Sequence, residues 1–363
     1  MDSNGKPTVE VELKTDAGKF KASVPSGVST GKYEAVELPA AKAIENIEKI
    51  IAPQLTRNEI VNQGEVDKLL INLDGTKNKS RLGANAILAV SIASCRALAA
   101  SQKLPLWHYI NKACGRPTSA SLPKPSFNMI EGGKHADSGL AFQEFMIVPQ
   151  KERFRENLEI GLKVYKKLKE ILGEGVKLSK EGAFSPKLEN AFKAIDLILE
   201  VGQGEDIKIA IDAAGAKGES YQELIEKYPI VSIEDPFVEE DYEAWRAFKP
   251  GILIFGDDLT VTNLERIKMA KEKNLCNAVI IKPNQIGTVT EAIEAAKLAK
   301  SYGWKIMVSN RAGETMDDFI ADLAVGIGAD FIKSGAPLPK ERLAKYNRLV
   351  EIETEILNYG YFN

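Results

Sequence analysis

The chain has 363 residues, of which 44% are hydrophobic and 27% are charged, and its formal net charge is -3. Interspersed charge of both signs argues against a nucleic-acid or membrane partner and predicts a small-molecule substrate. Three distant cysteines indicate neither a disulfide framework nor a thiolate zinc site. No segment predicts an export signal or a membrane span, so we expect a cytoplasmic protein.

The first third of the chain predicts a small α+β domain. Residues 8–13 and 19–24 alternate apolar and polar side chains around a short turn, which predicts a β-hairpin. Helical spacing predicts helices over 40–51 and 64–73, and the apolar segment 83–100 predicts a buried helix. Turn formers around 115–125 mark a boundary, so residues 1–115 are predicted to form an α+β capping domain.

Residues 116–363 are predicted to form an eight-stranded α/β barrel with an irregular ββαα start. Strands over 126–130 and 145–148 precede two amphipathic helices, and strand and helix then alternate six times from Lys208. If the second strand runs opposite to the others, its first residues face the catalytic mouth. That direction would bring Glu144 to the same end of the barrel as the carboxyl ends of the other strands.

Five short apolar runs in the second half of the chain each end on an ionisable residue. These residues are Asp212, Glu234, Asp257, Lys282 and Lys333. A buried parallel strand is a nearly continuous apolar run, and its last residue can point into the catalytic mouth of a barrel. We therefore expect three carboxylates and two lysines to converge there.

The three carboxylates are hard oxygen donors with no Cys or His beside them, which favours Mg²⁺ over a soft metal. Asp212, Glu234 and Asp257 are therefore the predicted metal ligands. The alternative is that each acid caps the turn or helix that follows it, as Asp235 and Asp258 are placed to do. The occurrence of such acids on three successive strand ends favours the metal site.

The two lysines predict proton chemistry, because a lysine at the end of a buried strand either extends to solvent or lies desolvated in a site. A bound cation and Lys333 would lower the pKa of Lys282 and free its amine as a general base. The alternative is structural pairing with a strand-end carboxylate. A lysine base opposite a metal predicts removal of a proton next to a substrate carboxylate. Glu144 and Glu181 are candidate acids, although either alone would be an ordinary surface carboxylate.

Long stretches of the chain resemble the enolase family, whose superfamily pattern is a lysine or histidine base with carboxylate-bound magnesium. The matching segments are residues 2–11 (DSNGKPTVEV), 24–31 (VPSGVSTG), 132–136 (GGKHA), 143–147 (QEFMI), 232–237 (SIEDPF), 256–263 (GDDLTVTN), 282–288 (KPNQIGT) and 332–337 (IKSGAP). The resemblance covers nearly the whole chain. It implies reversible dehydration of 2-phosphoglycerate to phosphoenolpyruvate in glycolysis and gluconeogenesis, with two Mg²⁺ ions, the second bound with substrate. It also implies a homodimer or a higher homo-oligomer.

The resemblance further implies a role for each site residue. Asp212, Glu234 and Asp257 would hold the first ion, with Lys282 as the base, Glu181 as the acid and Glu144 as its partner. Substrate contacts would come from His135, from Lys333 on the carboxylate, from Arg311 on the phosphate with Asn310 beside it, and from Ser29 in a loop that closes over the substrate.

The segment 309–315 (SNRAGET) departs from the family's sequence motif, Ser-His-Arg-Ser-Gly-Glu-Thr. Asn310 cannot carry charge and Ala312 has no side-chain donor, and a lost bond to a charged group costs about 1.5 to 3 kcal/mol. Lys180, where the family has an acid, would favour the charged form of Glu181 if the two heads approach. Three hypotheses remain open: a phosphopyruvate hydratase, a superfamily lyase acting on a different carboxylate, and a non-catalytic paralogue.

Overall fold

The computed structural model describes residues 1–27, 31–116 and 120–359. It begins with the predicted hairpin, in which β1 (Glu10–Thr15) pairs antiparallel with β2 (Gly18–Ser23). Helices follow the hairpin, with a short π-helical turn, Ile47–Ile51, between the first two. The helices are α1 (Ala40–Asn46), α2 (Ala52–Leu55), α3 (Gln63–Asp74), α4 (Ala84–Ser101) and α5 (Leu106–Ala113).

Helix α4 is the centre of this N-terminal part. It is 18 residues long and apolar enough by composition to cross a membrane, but 78% of it is buried inside the fold. It packs against both strands of the hairpin and against α3. The segment is therefore a core helix, as its uniform apolar composition predicts.

The rest of the described chain forms a closed barrel of eight strands in the order β10-β3-β4-β5-β6-β7-β8-β9. The strands are β3 (Lys124–Glu131), β4 (Glu144–Pro149), β5 (Ile207–Asp212), β6 (Ile230–Glu234), β7 (Leu253–Gly256), β8 (Ala278–Ile281), β9 (Lys305–Ser309) and β10 (Phe331–Lys333). Strand β4 is antiparallel to both neighbours, and the other pairs are parallel. The fold-class prediction, including the reversed second strand, is confirmed.

Helices surround the barrel in the predicted order, with two between β4 and β5. They are α6 (Phe154–Leu172), α7 (Ala191–Val201), α8 (Tyr221–Lys227), α9 (Tyr242–Ala247), α10 (Leu264–Glu272), α11 (Pro283–Ile286), α12 (Val289–Ser301), α13 (Phe319–Ile327) and α14 (Lys340–Tyr359). Several begin at a residue whose side chain accepts a hydrogen bond from the first turn, including Ser220, Asp241, Asn263 and Thr288. These caps set where each loop at the barrel mouth ends.

The strands separate two apolar cores. A small cluster inside the barrel includes Met146, Ala210, Phe255, Ile280 and Phe331. A larger cluster fills the space between strands and helices and continues into the N-terminal part. Because side chains alternate between the two faces of a strand, every second residue of each strand points into the barrel.

Partly buried ion pairs join the N-terminal part to the barrel. Lys79 Nζ lies 2.5 Å from Glu291 at the start of α12, and Arg96 Nη1 lies 2.7 Å from Asp317 in the loop before α13. These contacts hold the N-terminal part against the barrel. The division of the chain between residues 115 and 116 into a capping domain and a barrel stays a prediction.

Gly182 offers a test of the loop that follows α6. Its φ is +81°, and an added Cβ would lie 2.2 Å from Pro339 Cγ, whereas at Gly75, with φ 69° and ψ 5°, such an atom would meet only the Asn72 carbonyl oxygen, at 3.8 Å. Both alanine variants carry the cost of a positive φ, about 1 kcal/mol. We expect Gly182→Ala to lose about 1 to 3 kcal/mol more than Gly75→Ala in urea unfolding, because only it also forces a clash. Equal losses would show that Pro339 moves freely.

Candidate active site

Strand alternation places the predicted site residues at one end of the barrel. Ala278 and Ile280 of β8 face the barrel interior, so Lys282, two residues on, continues that inward face. The same step leads from Ala210 to Asp212 and from Phe331 to Lys333. In the reversed strand β4 it leads backward from Met146 to Glu144, which stands opposite Asp212 in the register.

These residues line a cavity of about 480 Å³ at the barrel mouth. Its walls include Glu144, Glu181, Asp212, Asp257, Lys282, Asn310, Arg311 and Lys333. Among the described residues that line it, eight side chains are acidic and five are basic, so the cavity is negative overall. The structure thus brings together residues from seven different strands and loops.

Lys333 is the centre of one group of acids. Its Nζ lies 2.7 Å from Glu234, 3.2 Å from Glu144 and 3.4 Å from Asp212, and its side chain is only 3% exposed. Burial alone would lower the pKa of Lys333, but Glu144, Glu234 and Asp212 together raise it well above its usual range. Lys333 is therefore a fixed positive charge in this structure.

Lys282 forms a second group, in which its ammonium donates to the carboxylate of Asp257. Gln285 Nε2 also donates to Asp257, at 2.9 Å. Burial opposes the charged form of Lys282, but Asp257 and Glu234 outweigh it and raise the Lys282 pKa. Lys333 acts in the predicted direction and lowers the Lys282 pKa, but these carboxylates outweigh it. The lowering expected from a bound cation stays a prediction. The contact of Lys282 with Asp257 is of the kind that the alternative interpretation predicted, in which the lysine pairs structurally with a strand-end carboxylate.

Two of the carboxylates, Glu234 and Glu144, have pKa values above those of free acids. Burial, with Asp212 adding to it, raises the pKa of Glu234 to about 8. Burial also raises the pKa of Glu144 well above its usual range against the opposing effect of Lys333. Asp257 is the exception, because Lys282 lowers its pKa despite burial. Mutual repulsion of this kind is relieved by a bound cation.

The donor set fits a hard divalent cation. Asp212, Glu234 and Asp257 offer oxygen alone, and Asp212 stands beside Glu234 in the register of β5 and β6. Glu234 Oε1 is buried and has no hydrogen-bond partner within the described part of the chain. A buried oxygen without a donor and an excess of negative charge are what a Mg²⁺ site requires.

A neighbouring acidic cluster consists of Asp235, Asp257 and Asp258, whose carboxylate oxygens lie within 4.8 Å of one another. Asp235 accepts hydrogen bonds from the backbone amides of Asp257 at 2.9 Å and Asp258 at 2.8 Å. It therefore caps the turn after β7 and not the turn after its own strand. Both Asp235 oxygens are held by backbone amides, whereas the oxygens of Asp257 are held by the side chains of Lys282 and Gln285, which can move aside for an ion. We therefore keep Asp212, Glu234 and Asp257 as the candidate ligands.

The raised carboxyl pKa values predict a pH-dependent effect of magnesium on stability. The Glu234 pKa is about 8 in the folded protein against an ordinary value of 4.5 in the unfolded chain, so the folded state holds more protons between these values. The metal-free protein should therefore lose about 3 kcal/mol of stability as pH rises from 5 to 8. We expect 10 mM Mg²⁺ to raise the melting temperature by several degrees more at pH 8 than at pH 5. An equal gain at both pH values would contradict carboxylate binding.

Glu181 lies in the loop before α7 and is only 4% exposed. Asn310 Nδ2 donates to its Oε2 at 3.2 Å and to the carbonyl of Arg311 at 3.0 Å. The neighbouring Lys180 is exposed, so its ammonium does not share the buried surroundings of Glu181. Asn310 thus positions the candidate acid.

Arg342 of α14 connects the two loops that carry these groups. It is fully buried, and it donates to the carbonyls of Arg311 at 2.6 Å, Ala312 at 2.8 Å and Lys180 at 3.2 Å. These hydrogen bonds from Arg342 therefore hold the Glu181 loop next to the loop after β9. The C-terminal helix takes part in shaping the site through this residue.

Of two predicted substrate contacts, the structure describes His135 in part and Ser29 not at all. His135 belongs to a short 3₁₀ helix, Gly133–His135, beside the cavity residue Lys134, and its side chain lies outside the described part of the chain. Ser29 lies outside the described residues altogether. Ala312 lines the cavity as expected and brings no polar side-chain atom to it.

Several residues of the site were not identified from the sequence. Glu131 ends β3, is fully buried and stands opposite Glu144, and Asn128 donates to it at 3.2 Å. Its signal, an apolar run that ends on an acid, is the one that identified the other strand ends. Glu34 and Gln143 also line the cavity, but neither follows a strand end of this kind.

A closed barrel whose mouth gathers buried lysines, carboxylates and an arginine defines the chain as an α/β-barrel enzyme. Its sequence matches the family models described as Enolase, C-terminal TIM barrel domain, over residues 119–219 and 216–363, and Enolase, N-terminal domain, over residues 1–110. The chain belongs to the enolase family. The resemblance found in the sequence is confirmed by these matches.

Proposed function

We propose that this protein is a phosphopyruvate hydratase, which dehydrates 2-phosphoglycerate to phosphoenolpyruvate reversibly with magnesium. The observation that supports the proposal most is the convergence of Lys282, Lys333 and the carboxylate set in one buried cavity. Because the cavity is acidic overall, it would repel a phosphorylated carboxylate if it contained no positive charges. The phosphate and the carboxylate of the substrate therefore need the lysines, Arg311 and bound metal.

The proposed base is Lys282, which must lose a proton before it can remove the one beside the substrate carboxylate. Lys333 and Arg311 both act to lower its pKa, against the stronger effect of Asp257 and Glu234. Lys333 would pair with the substrate carboxylate, which holds the proton to be removed close to Lys282.

The departing hydroxide needs a proton from the other side of the substrate. Glu181 is the proposed donor, and the hydrogen bond from Asn310 orients its carboxyl group. Glu144 is its proposed partner, because burial and the nearby acids, Glu181 among them, favour the protonated form of Glu144.

Asp212, Glu234 and Asp257 are the proposed ligands of the first Mg²⁺, and the second would enter with the substrate. A bound Mg²⁺ supplies stabilisation of the charge that develops on the substrate carboxylate. The same three residues exclude softer metals, since they offer oxygen alone. We also propose a cytoplasmic location. We further propose a homodimer, and light scattering of the purified protein would test this oligomeric state.

The deciding experiment measures absorbance growth of phosphoenolpyruvate from 2-phosphoglycerate by the purified protein. We expect turnover with saturating Mg²⁺ and none with EDTA. Folded protein that turns over no 2-phosphoglycerate at saturating Mg²⁺ would remove the proposal.

A second candidate is a lyase of the same superfamily that acts on a different carboxylate. Two observations favour it: Asn310 is engaged with Glu181, and Ala312 offers the cavity no hydroxyl. Activity across small hydroxy acids with and without phosphate would separate the candidates. A preference for unphosphorylated acids would support this second candidate.

Ala312→Ser tests how far the missing hydroxyl limits phosphate binding. A bond to a charged group is worth about 1.5 to 3 kcal/mol, so we expect KM for 2-phosphoglycerate to fall about 10- to 100-fold with kcat within threefold. Ala17→Ser, at an exposed position of the hairpin turn, is the control. An unchanged KM would mean that position 312 does not face the phosphate.

A further inference from the structure

We propose that Glu34 is an affinity-limiting residue of the site, whose carboxylate occupies the guanidinium group of Arg311 and must be displaced by an anionic group of the substrate. The inference rests on the proposed function in taking Arg311 as the phosphate contact. It adds a competitor, supplied by the N-terminal part of the chain, to that contact.

The pair has the geometry of a bound anion on an arginine. Arg311 Nη1 lies 2.7 Å from Glu34 Oε2, and Nη2 lies 3.3 Å from Glu34 Oε1. The two side chains are only 5% and 6% exposed, although both line the cavity. Two parallel bonds of this kind are the arrangement that arginine makes with a carboxylate or a phosphate.

Glu34 also engages a second donor that suits an anion. Its Oε1 accepts a hydrogen bond from the backbone amide of Gly31 at 2.9 Å, and Gly31 lines the same cavity. One carboxylate therefore joins a guanidinium group and a main-chain N–H. When the Glu34 side chain turns away, both donors become available to an incoming anion.

The main chain beside Glu34 is anchored to the barrel. The amide of Ala35 donates to the carbonyl of Gln285 in α11 at 2.8 Å. Gln285 is itself held by Asp257 and Thr262. Displacement of Glu34 from Arg311 is therefore a rotation of the side chain on a fixed main chain.

The charges explain why displacement limits affinity. Arg311 faces Glu34 directly, and Glu37 also acts on it, where Asn284 donates to Glu37 at 3.4 Å. The charge of the arginine is therefore already offset. An anion that replaces Glu34 exchanges one ion pair for another, so its binding is weakened by the free energy of the Arg311–Glu34 pair. This cost is the same for a singly and a doubly charged anion, so Glu34 lowers the affinity of the site for both.

The test measures binding of inorganic phosphate and of acetate by calorimetry, in wild-type protein, in Glu34→Gln and in Glu34→Asp. We expect Glu34→Gln to bind phosphate at least about tenfold more tightly and acetate more tightly by a similar factor, because the cost of displacing Glu34 is common to both anions. Glu34→Asp, which keeps the charge on a shorter side chain, should lie between. Glu45→Gln, an exposed acid paired with Lys42 and Lys49, is the control and should match wild type.

Weaker or unchanged phosphate binding in Glu34→Gln would overturn the inference, because it would mean that Glu34 orients Arg311 instead of competing for it. If Glu34→Gln does not fold, unchanged binding in Glu34→Asp has the same meaning. The measurement needs no turnover. Tighter phosphate binding in a protein inactive on 2-phosphoglycerate would therefore reject the proposed function and leave the role of Glu34 standing.

Discussion

Lys282→Gln should reduce kcat for 2-phosphoglycerate by about 10²- to 10⁴-fold while the protein stays folded. A positioned general base contributes a factor of this size, and an amide cannot accept the proton. Glutamine keeps a donor for Asp257, so the buried carboxylate is not left without a partner. The measurement is steady-state turnover at saturating Mg²⁺, with the melting temperature as a check on folding.

Lys297→Gln is the matched control, because that lysine is exposed on α12 and pairs with Glu294 at 3.0 Å. It should retain wild-type kcat. Exchange of the substrate proton with deuterated water gives a second readout, which should disappear in Lys282→Gln. A kcat within threefold of wild type, or exchange that persists, would assign the base to another residue.

The positions of the strand-end residues could be predicted from the sequence because one physical rule connects them. A parallel strand is buried on both faces, so a charged residue at its carboxyl end is noticeable in an otherwise apolar run. Alternation then turns Asp212, Lys282 and Lys333 toward the same axis. The reversed β4 obeys the rule from its other end, which is how Glu144 could be placed.

The same rule would have identified Glu131, which follows the apolar run of β3. That run was predicted to end at residue 130, one residue short of the acid. The helix Leu106–Ala113 was also missed, although its half-buried amphipathic pattern is regular. The first omission is an error of boundary, whereas the second is a whole helix that the same periodicity rule would have found.

Other features depend on contacts that no local pattern contains. Glu34 and Arg311 are 277 residues apart in sequence, and their pairing requires the N-terminal part to be docked on the barrel. The direction of the Lys282 pKa depends on how close Asp257 comes to its ammonium. Asp235 caps the loop of the neighbouring strand, a choice that the register of β6 and β7 decides.

Lys333→Met should cause the largest loss of stability, about 3 to 5 kcal/mol at pH 8. Breaking a buried ion pair by removing one partner leaves an uncompensated charge, and here one ammonium serves Glu144, Asp212 and Glu234. The loss corresponds to a fall of roughly 10 °C in melting temperature. Because burial already raises the pKa values of Glu144 and Glu234, these acids can protonate, so the loss should shrink at pH 5.

Lys345→Met provides the comparison that isolates the metal site. Lys345 is also buried, but its Nζ pairs with a single acid, Glu314, at 2.7 Å, and donates to two backbone carbonyls. Both variants should be destabilised in EDTA. Mg²⁺ should restore part of the stability of Lys333→Met, since a cation bound by Asp212 and Glu234 replaces the missing positive charge, and it should not compensate Lys345→Met. Equal responses of the two variants to Mg²⁺ would place the cation elsewhere in the cavity.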